Sequence, residues 1–336
     1  MMAIRRAMAV MVALVVSATF AAAQPAPKQQ APKLSKQDRE EFERLVKVTD
    51  DAMAGTPATS DMAIAIEPYF FKAIHPQVYA PVVLTITNAP KTDAVLLVRV
   101  VPAGTRFDPK AKKVQYPWED PHFLTPAHFA GEPARLARGF MALPGSYDVY
   151  FTLKERLPER APKNAVAKAT VHKATLEVPN FHNGELSYST MMVVDKVNQL
   201  TVAPTPTEMR ERPLVLGTTE FVPVTDMEFA KTDELSVSYQ IYNAGLDSDG
   251  KPNLDHEYVF YRTEGAEEKR FNSTPVQSIN ASNIPPTYDA AKFPLPGGIA
   301  VPLASFPAGN YRLEVKITDK VSGKVLTNNF KFMVKG

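Results

Sequence analysis

Asp120, His122 and His128 fall within nine residues of one another, and two imidazoles with a carboxylate are a ligand set that suits zinc or a similar ion. Their spacing matches no established metal-ligand pattern, so the sequence assigns no metal to them. Asp247, Asp249, Asn253 and Asp255 gather oxygen donors around Gly250, which is the chemistry calcium prefers. An EF-hand loop needs its glycine at the sixth position and a Glu at the twelfth, whereas here Gly250 is fourth and Tyr258 is twelfth. Asp and Gly are also the ordinary residues of a tight turn, and that reading is taken. His256-Glu257 opens like a zinc-protease motif, but Phe260 stands where the second His belongs and the following residues alternate like a strand.

Tyr116 and Trp118, the latter the only tryptophan, are the candidate binding residues. Aromatic planes stack on sugar faces or anchor in a partner's pocket at low entropic cost. They stand in a proline-rich stretch, Gly104 to Phe140, that reads as a long loop. No G-x-S-x-G elbow, phosphate-cradling glycine loop or dinucleotide fingerprint occurs, so no catalytic residue, metal or cofactor is expected.

The elements that must position these residues are mostly strands. Period-two alternation between proline-rich breaks runs over Met62 to Phe71, Tyr79 to Asn88, Ala94 to Pro102, Ser146 to Lys154 and Val166 to Val178. A second set covers Leu186 to Val194, Phe221 to Phe229, Leu235 to Asn243, Glu257 to Thr263, Tyr311 to Asp319 and Lys324 to Val334. Before them, Ser35 is placed to cap a helix, and Phe42, Leu45, Val46, Thr49 and Met53 form its apolar stripe before Gly55. This narrow stripe predicts packing on the neighbouring domain.

The two strand sets repeat one another. Ala80, Val82, Leu84 and Ile86 correspond to Leu235, Val237, Tyr239 and Ile241 at one fixed offset, and Asn88-Ala89 to Asn243-Ala244. Leu143-Pro-Gly-Ser-Tyr147 corresponds to Phe306-Pro-Ala-Gly-Asn-Tyr311. A Pro/Gly corner followed by a Tyr that opens the penultimate strand resembles the tyrosine corner of immunoglobulin-like and fibronectin type III-like sandwiches. The pair also resembles tandem β modules of bacterial exported proteins, including macroglobulin-like arrays, although a chain without cysteine has no thioester. The resemblance implies an all-β chain of two tandem antiparallel, immunoglobulin-like β-sandwich domains behind one short amphipathic helix. Its divisions are a signal peptide over 1–23, a disordered linker over 24–34, the helix over 35–55, and sandwiches over 56–180 and 181–336.

Arg5 and Arg6 precede an apolar run ending in Ala21-Ala22-Ala23, the pattern of a cleaved Sec-type signal peptide, and no later run is long enough to span a membrane. Without cysteine there is neither a disulfide nor a lipoprotein anchor. Removing Arg5 and Arg6 brings the formal charge from +2 to zero, which argues against a nucleic-acid partner. The expectation is therefore a periplasmic or secreted, non-catalytic protein acting through protein contacts in an envelope or extracellular assembly. The alternatives are a carbohydrate-binding module using Tyr116 and Trp118, and a hydrolase whose site assembles only in space.

Overall fold

The structure is a computed structural model that describes residues 35–56, 58–105, 107–108, 115–157 and 166–336. The expected signal peptide and linker lie outside the described residues. The described chain divides into two compact bodies, residues 35–185 with 202–216, and residues 186–201 with 217–336. The chain is all-β apart from one long helix and a few short turns of helix.

That helix, α1 (Lys36–Met53), begins where the sequence places it, with the Ser35 hydroxyl accepting from the Asp38 amide at 3.0 Å. Its stripe packs on the N-terminal body's own sheet, where Leu45 is buried with Val95 and Leu97, and Phe42, Val46 and Phe123 close around them. The stripe is not purely apolar. Glu41 is buried, bonded to Lys154 at 2.8 Å and Arg44 at 2.7 Å, and the Thr49 hydroxyl meets that of Thr152 at 2.7 Å.

In the N-terminal body, strands β1 (Ala63–Pro68) and β2 (Phe71–Lys72) pair one side of β3 (Val78–Thr87), and β6 (Ala134–Ala142) pairs the other. The second sheet runs β5 (Trp118–Leu124), β4 (Ala94–Pro102), β7 (Gly145–Glu155), β8 (Ala169–Val178). The stretch from Gly104 to Phe140, expected as a loop, thus contains two strands. Pro121, Gly139 and the charges at Glu119, Asp120, Arg135 and Arg138 hide their alternation, and β-pairing overrides the weak local propensity.

The C-terminal body repeats this order. Strand β10 (Met192–Gln199) pairs β14 (Glu234–Tyr242), joined by β9 (Ser187–Tyr188), β12 (Thr219–Pro223) and β18 (Leu295–Pro302), while β11 (Val215–Leu216) groups with the N-terminal body. Its other sheet runs β13 (Glu228–Phe229), β20 (Val325–Val334), β19 (Gly309–Asp319), β15 (Leu254–Glu264), β16 (Glu267–Ser273), with β17 (Gln277–Ile279) beside β15. In each body the first, second and fifth principal strands form one sheet and the fourth, third, sixth and seventh form the other.

Backbone details follow the same repeat. Ala80, Val82, Leu84 and Ile86 are fully buried, as are their counterparts Leu235, Val237, Tyr239 and Ile241 to within a few per cent. Asn88 and Asn243, which end these matched strands, are the two non-glycine residues with positive φ among the described residues, at 52° and 57°. Gly145 and Gly309, each two residues before the corner tyrosine, share φ values of 147° and 151° that a side chain would strain. The corner itself differs. The Tyr311 hydroxyl donates to the Pro307 carbonyl at 2.6 Å, whereas Tyr147 makes no such bond.

Candidate functional site

The N-terminal body carries polar side chains at positions where its own pattern calls for apolar ones. Along β6, Ala134, Leu136, Phe140 and Ala142 are the buried row, and Arg138 occupies it at 3% exposure. Along β5, His122 shares the inward face with Leu124 and lies opposite the core residue Leu96. Both are edge strands, so the two polar residues meet at one open side of the sandwich.

Residues Val202–Leu216 of the same body lie over that side. Their one short helix, α2 (Pro206–Met209), is held by a capping box between Thr205 and Glu208. Arg210 then bonds the Asp120 carboxylate, Glu211 approaches the His128 ring at 3.7 Å, and the Pro213 carbonyl accepts from the Tyr79 hydroxyl at 3.0 Å. Leu214 and Val215 are buried.

Electrostatics follow from this closure. Burial pushes the His122 pKa down to about 2, and the guanidinium groups of Arg138 and Arg210 act in the same direction, so the ring is neutral. Its Nε2 lies 3.3 Å from the Asp120 carboxylate but without hydrogen-bond geometry, and we read the contact as a neutral imidazole beside an occupied carboxylate rather than an ion pair. Burial raises the Asp120 pKa, partly offset by Arg210, and lowers that of Arg138.

The metal-ligand reading required Asp120, His122 and His128 to converge. His122 stands beside Asp120, but His128 turns back on Thr125, with Nδ1 3.1 Å from its amide and hydroxyl, and no group of three His, Cys, Asp or Glu able to hold an ion occurs among the described residues. Asp247 accepts from the Asp249 and Lys251 amides at 3.0 and 2.8 Å, the bonds of a turn, while Asp255 engages Ser278 and Lys320. His256 is interior. Its Nδ1 meets the Tyr239 hydroxyl at 3.2 Å, Tyr239 meets Tyr258 at 3.0 Å, and Tyr258 donates to the Gly298 carbonyl at 3.0 Å.

No protein-family model matches the chain, and no curated protein matches it significantly. Solved structures are similar only remotely. Trypsin-activated alpha-2-macroglobulin from Escherichia coli aligns over 83% of this chain and 17% of its own, at 11% identity and a TM-score of 0.22. Red sea bream transglutaminase aligns over 91% and 34%, at 12% identity and 0.20. Bacteroides uniformis beta-glucuronidase 2 aligns over 76% and 26%, at 12% identity and 0.26. The chain spans about a third or less of each, and likeness at this level carries nothing about activity.

Tyr116 and Trp118 take different positions. Tyr116 stacks on the Arg99 guanidinium, 4.2 Å from its centre, on the sheet face that receives α1. Trp118 opens β5 opposite the core residue Val100, on the face shared with Asp120 and His122, and its indole N–H is buried without a partner. Sequence reasoning missed Arg99, as it missed Arg138 and Arg210. Arg99 is 1% exposed, bonded to Asp50 at 2.5 Å and to Glu119 at 2.7 Å, and it ties α1 to β4 and β5. Its signal was a lone charge in the run Ala94–Pro102.

Proposed function

We propose that this chain is a non-catalytic periplasmic or secreted protein that acts through protein contacts, and that strand β18 of the C-terminal body is the contact edge. The observation supporting this reading is the contrast between the edges of that body. β16 carries Glu267, Glu268, Lys269 and Arg270, the charged guard that keeps an edge from pairing with other chains. β18 reads Leu-Pro-Gly-Gly-Ile-Ala-Val-Pro, pairs β14 on one side, ends its sheet on the other, and carries no charge.

The register says which groups point outward. Pro296 and Pro302 have no N–H to give β14, so they occupy the outward-facing positions, and alternation places Ala300 among them with both backbone groups turned from β14. An extended segment of a partner could add there, gaining main-chain hydrogen bonds. The carbohydrate alternative finds less support, because Tyr116, which precedes β5, stacks on Arg99 on the α1 side of the sheet while Trp118 lies on the inward side, so the two offer no shared platform.

The test is a crosslinked capture from the organism's envelope and culture medium, with the wild-type chain and with Ala300→Pro. Proline at 300 removes the outward N–H while leaving the β14 bonds intact. A partner held by the wild-type chain and lost by the variant supports the reading; equal recovery by both overturns it.

A further inference from the structure

Independently of that edge, we propose that Arg138, His122 and Trp118 form a binding site for a small oxyanion, a carboxylate or phosphate group, beneath residues Val202–Leu216. A guanidinium removed from water is costly unless it is paired and hydrogen-bonded. Arg138 is 3% exposed, and its one hydrogen bond runs from Nη1 to the neighbouring Ala137 carbonyl at 2.7 Å. Nε and Nη2 are both buried and both without a hydrogen-bond partner.

These two groups form one edge of the guanidinium fork, the edge that grips two oxygens of a carboxylate or phosphate with parallel bonds. The nearby acids do not fill it. Asp120 is bonded to Arg210, and Glu211 approaches His128 instead. Two further ring nitrogens on the inward face of β5, Trp118 Nε1 and His122 Nε2, are likewise buried and without hydrogen-bond partners. Isolated unsatisfied groups are ordinary; four such atoms on the inward faces of two edge strands of one sandwich, β5 and β6, are not. Trp118 Nε1 can only donate, Arg138 can only donate, and the neutral His122 ring can donate from Nε2. Such a set suits an acceptor of several bonds; Asp120 and Glu211 act on the Arg138 charge from nearby but leave that edge of its fork without a hydrogen bond, and a fork of donors on a cation suits an anion better than water.

Trp118 makes the site its own reporter, being the only tryptophan in the chain. The full chain would be titrated with acetate, inorganic phosphate and chloride at constant ionic strength, following tryptophan emission and the Arg138 Nε–H resonance. The proposal expects a saturable change with acetate or phosphate, together with a shift of that resonance. Response to acetate alone assigns a carboxylate, and to phosphate alone a phosphate group. Arg138→Lys keeps the charge but loses the fork, and it should weaken binding at least tenfold. A flat titration with both oxyanions overturns the proposal, as does a chloride response equal to theirs. The wild-type resonance decides the matter if Arg138→Lys fails to fold, since an Arg138 Nε–H that does not move under saturating oxyanion also overturns it.

Discussion

The two bodies share a strand order, matched left-handed asparagines and matched corner glycines, yet they use their interiors differently. The C-terminal body fills its core with interlocking aromatics, Phe260, Phe306, Tyr311 and Phe332 among them, and buries one short network of hydroxyls with His256. It also buries one carboxylate, Asp319, held by the amides of Gly245, Val321 and Ser322. The N-terminal body buries charge more widely. Arg99 and Glu41 bind the helix to one sheet face, and Arg138 with His122 lies under residues 202–216. One architecture therefore tolerates a mostly aromatic and aliphatic core in one copy and a more polar one in the other. The difference lies in side chains at a few inward positions, not in topology.

The strongest way to break this comparison is Arg99→Ala. Removing one member of a buried ion pair leaves its partners uncompensated, and because Asp50 and Glu119 stay about a quarter exposed the loss should be near the low end, about 3 kcal/mol. Residue-resolved hydrogen exchange should place that loss in the N-terminal body and leave β14 and β19 unchanged. An even loss across both bodies would merge what the comparison separates.

Acid should act on the C-terminal core through His256. Burial depresses its folded pKa to about 4 against 6.5 in the unfolded chain. Between these values the unfolded state binds the extra proton, so the stability His256 contributes is full above pH 6.5 and is lost as pH falls toward 4, by about 3 kcal/mol. A His256→Phe variant should show a flatter acid limb in the exchange of β15; an identical limb would show that the ring does not carry it. His122, depressed further, extends the corresponding loss in the N-terminal body to lower pH.

Tyr311→Phe sharpens the contrast at smaller scale. It removes the bond to Pro307 and should cost about 1 kcal/mol, whereas Tyr147→Phe, with no such bond to lose, should leave the melting midpoint unchanged. Equal costs would mean the two corners are alike in solution. Smallest of all, Ala300→Pro should not shift the melting midpoint.

Much of the frame was legible in the sequence because it rests on local signals. The Ser35 cap, the alternating run from Ala80 to Ile86 with its copy from Leu235 to Ile241, and the tyrosine that opens the penultimate strand each carry their own periodicity or turn chemistry. β5, β6, β16 and β18 were not legible. Proline, glycine or charge interrupts their alternation, and in β18 Gly297 is required because a side chain there would strike the Tyr239 ring, an ångström-scale contact no local pattern encodes. The candidate site was half visible. Asp120, His122 and Trp118 drew attention as residue types, but Arg138 and Arg210 enter only through packing, one as a charge in an apolar row and the other from a segment many residues away. Ala134, Leu136 and Phe140 flanking Arg138 formed the one signal that could have exposed it.

The Gly298 carbonyl is taken by the Tyr258 hydroxyl, so the reading of β18 as an open contact edge depends on the outer backbone groups of Ala300 being free. Amide hydrogen exchange of the full chain, resolved at Ile299, Ala300 and Val301, tests that directly. The account predicts that Ala300 exchanges quickly while Ile299 and Val301, bonded to β14, are protected to the level of the body's core. Equal protection at all three would show that the edge is already covered, and would contradict the account.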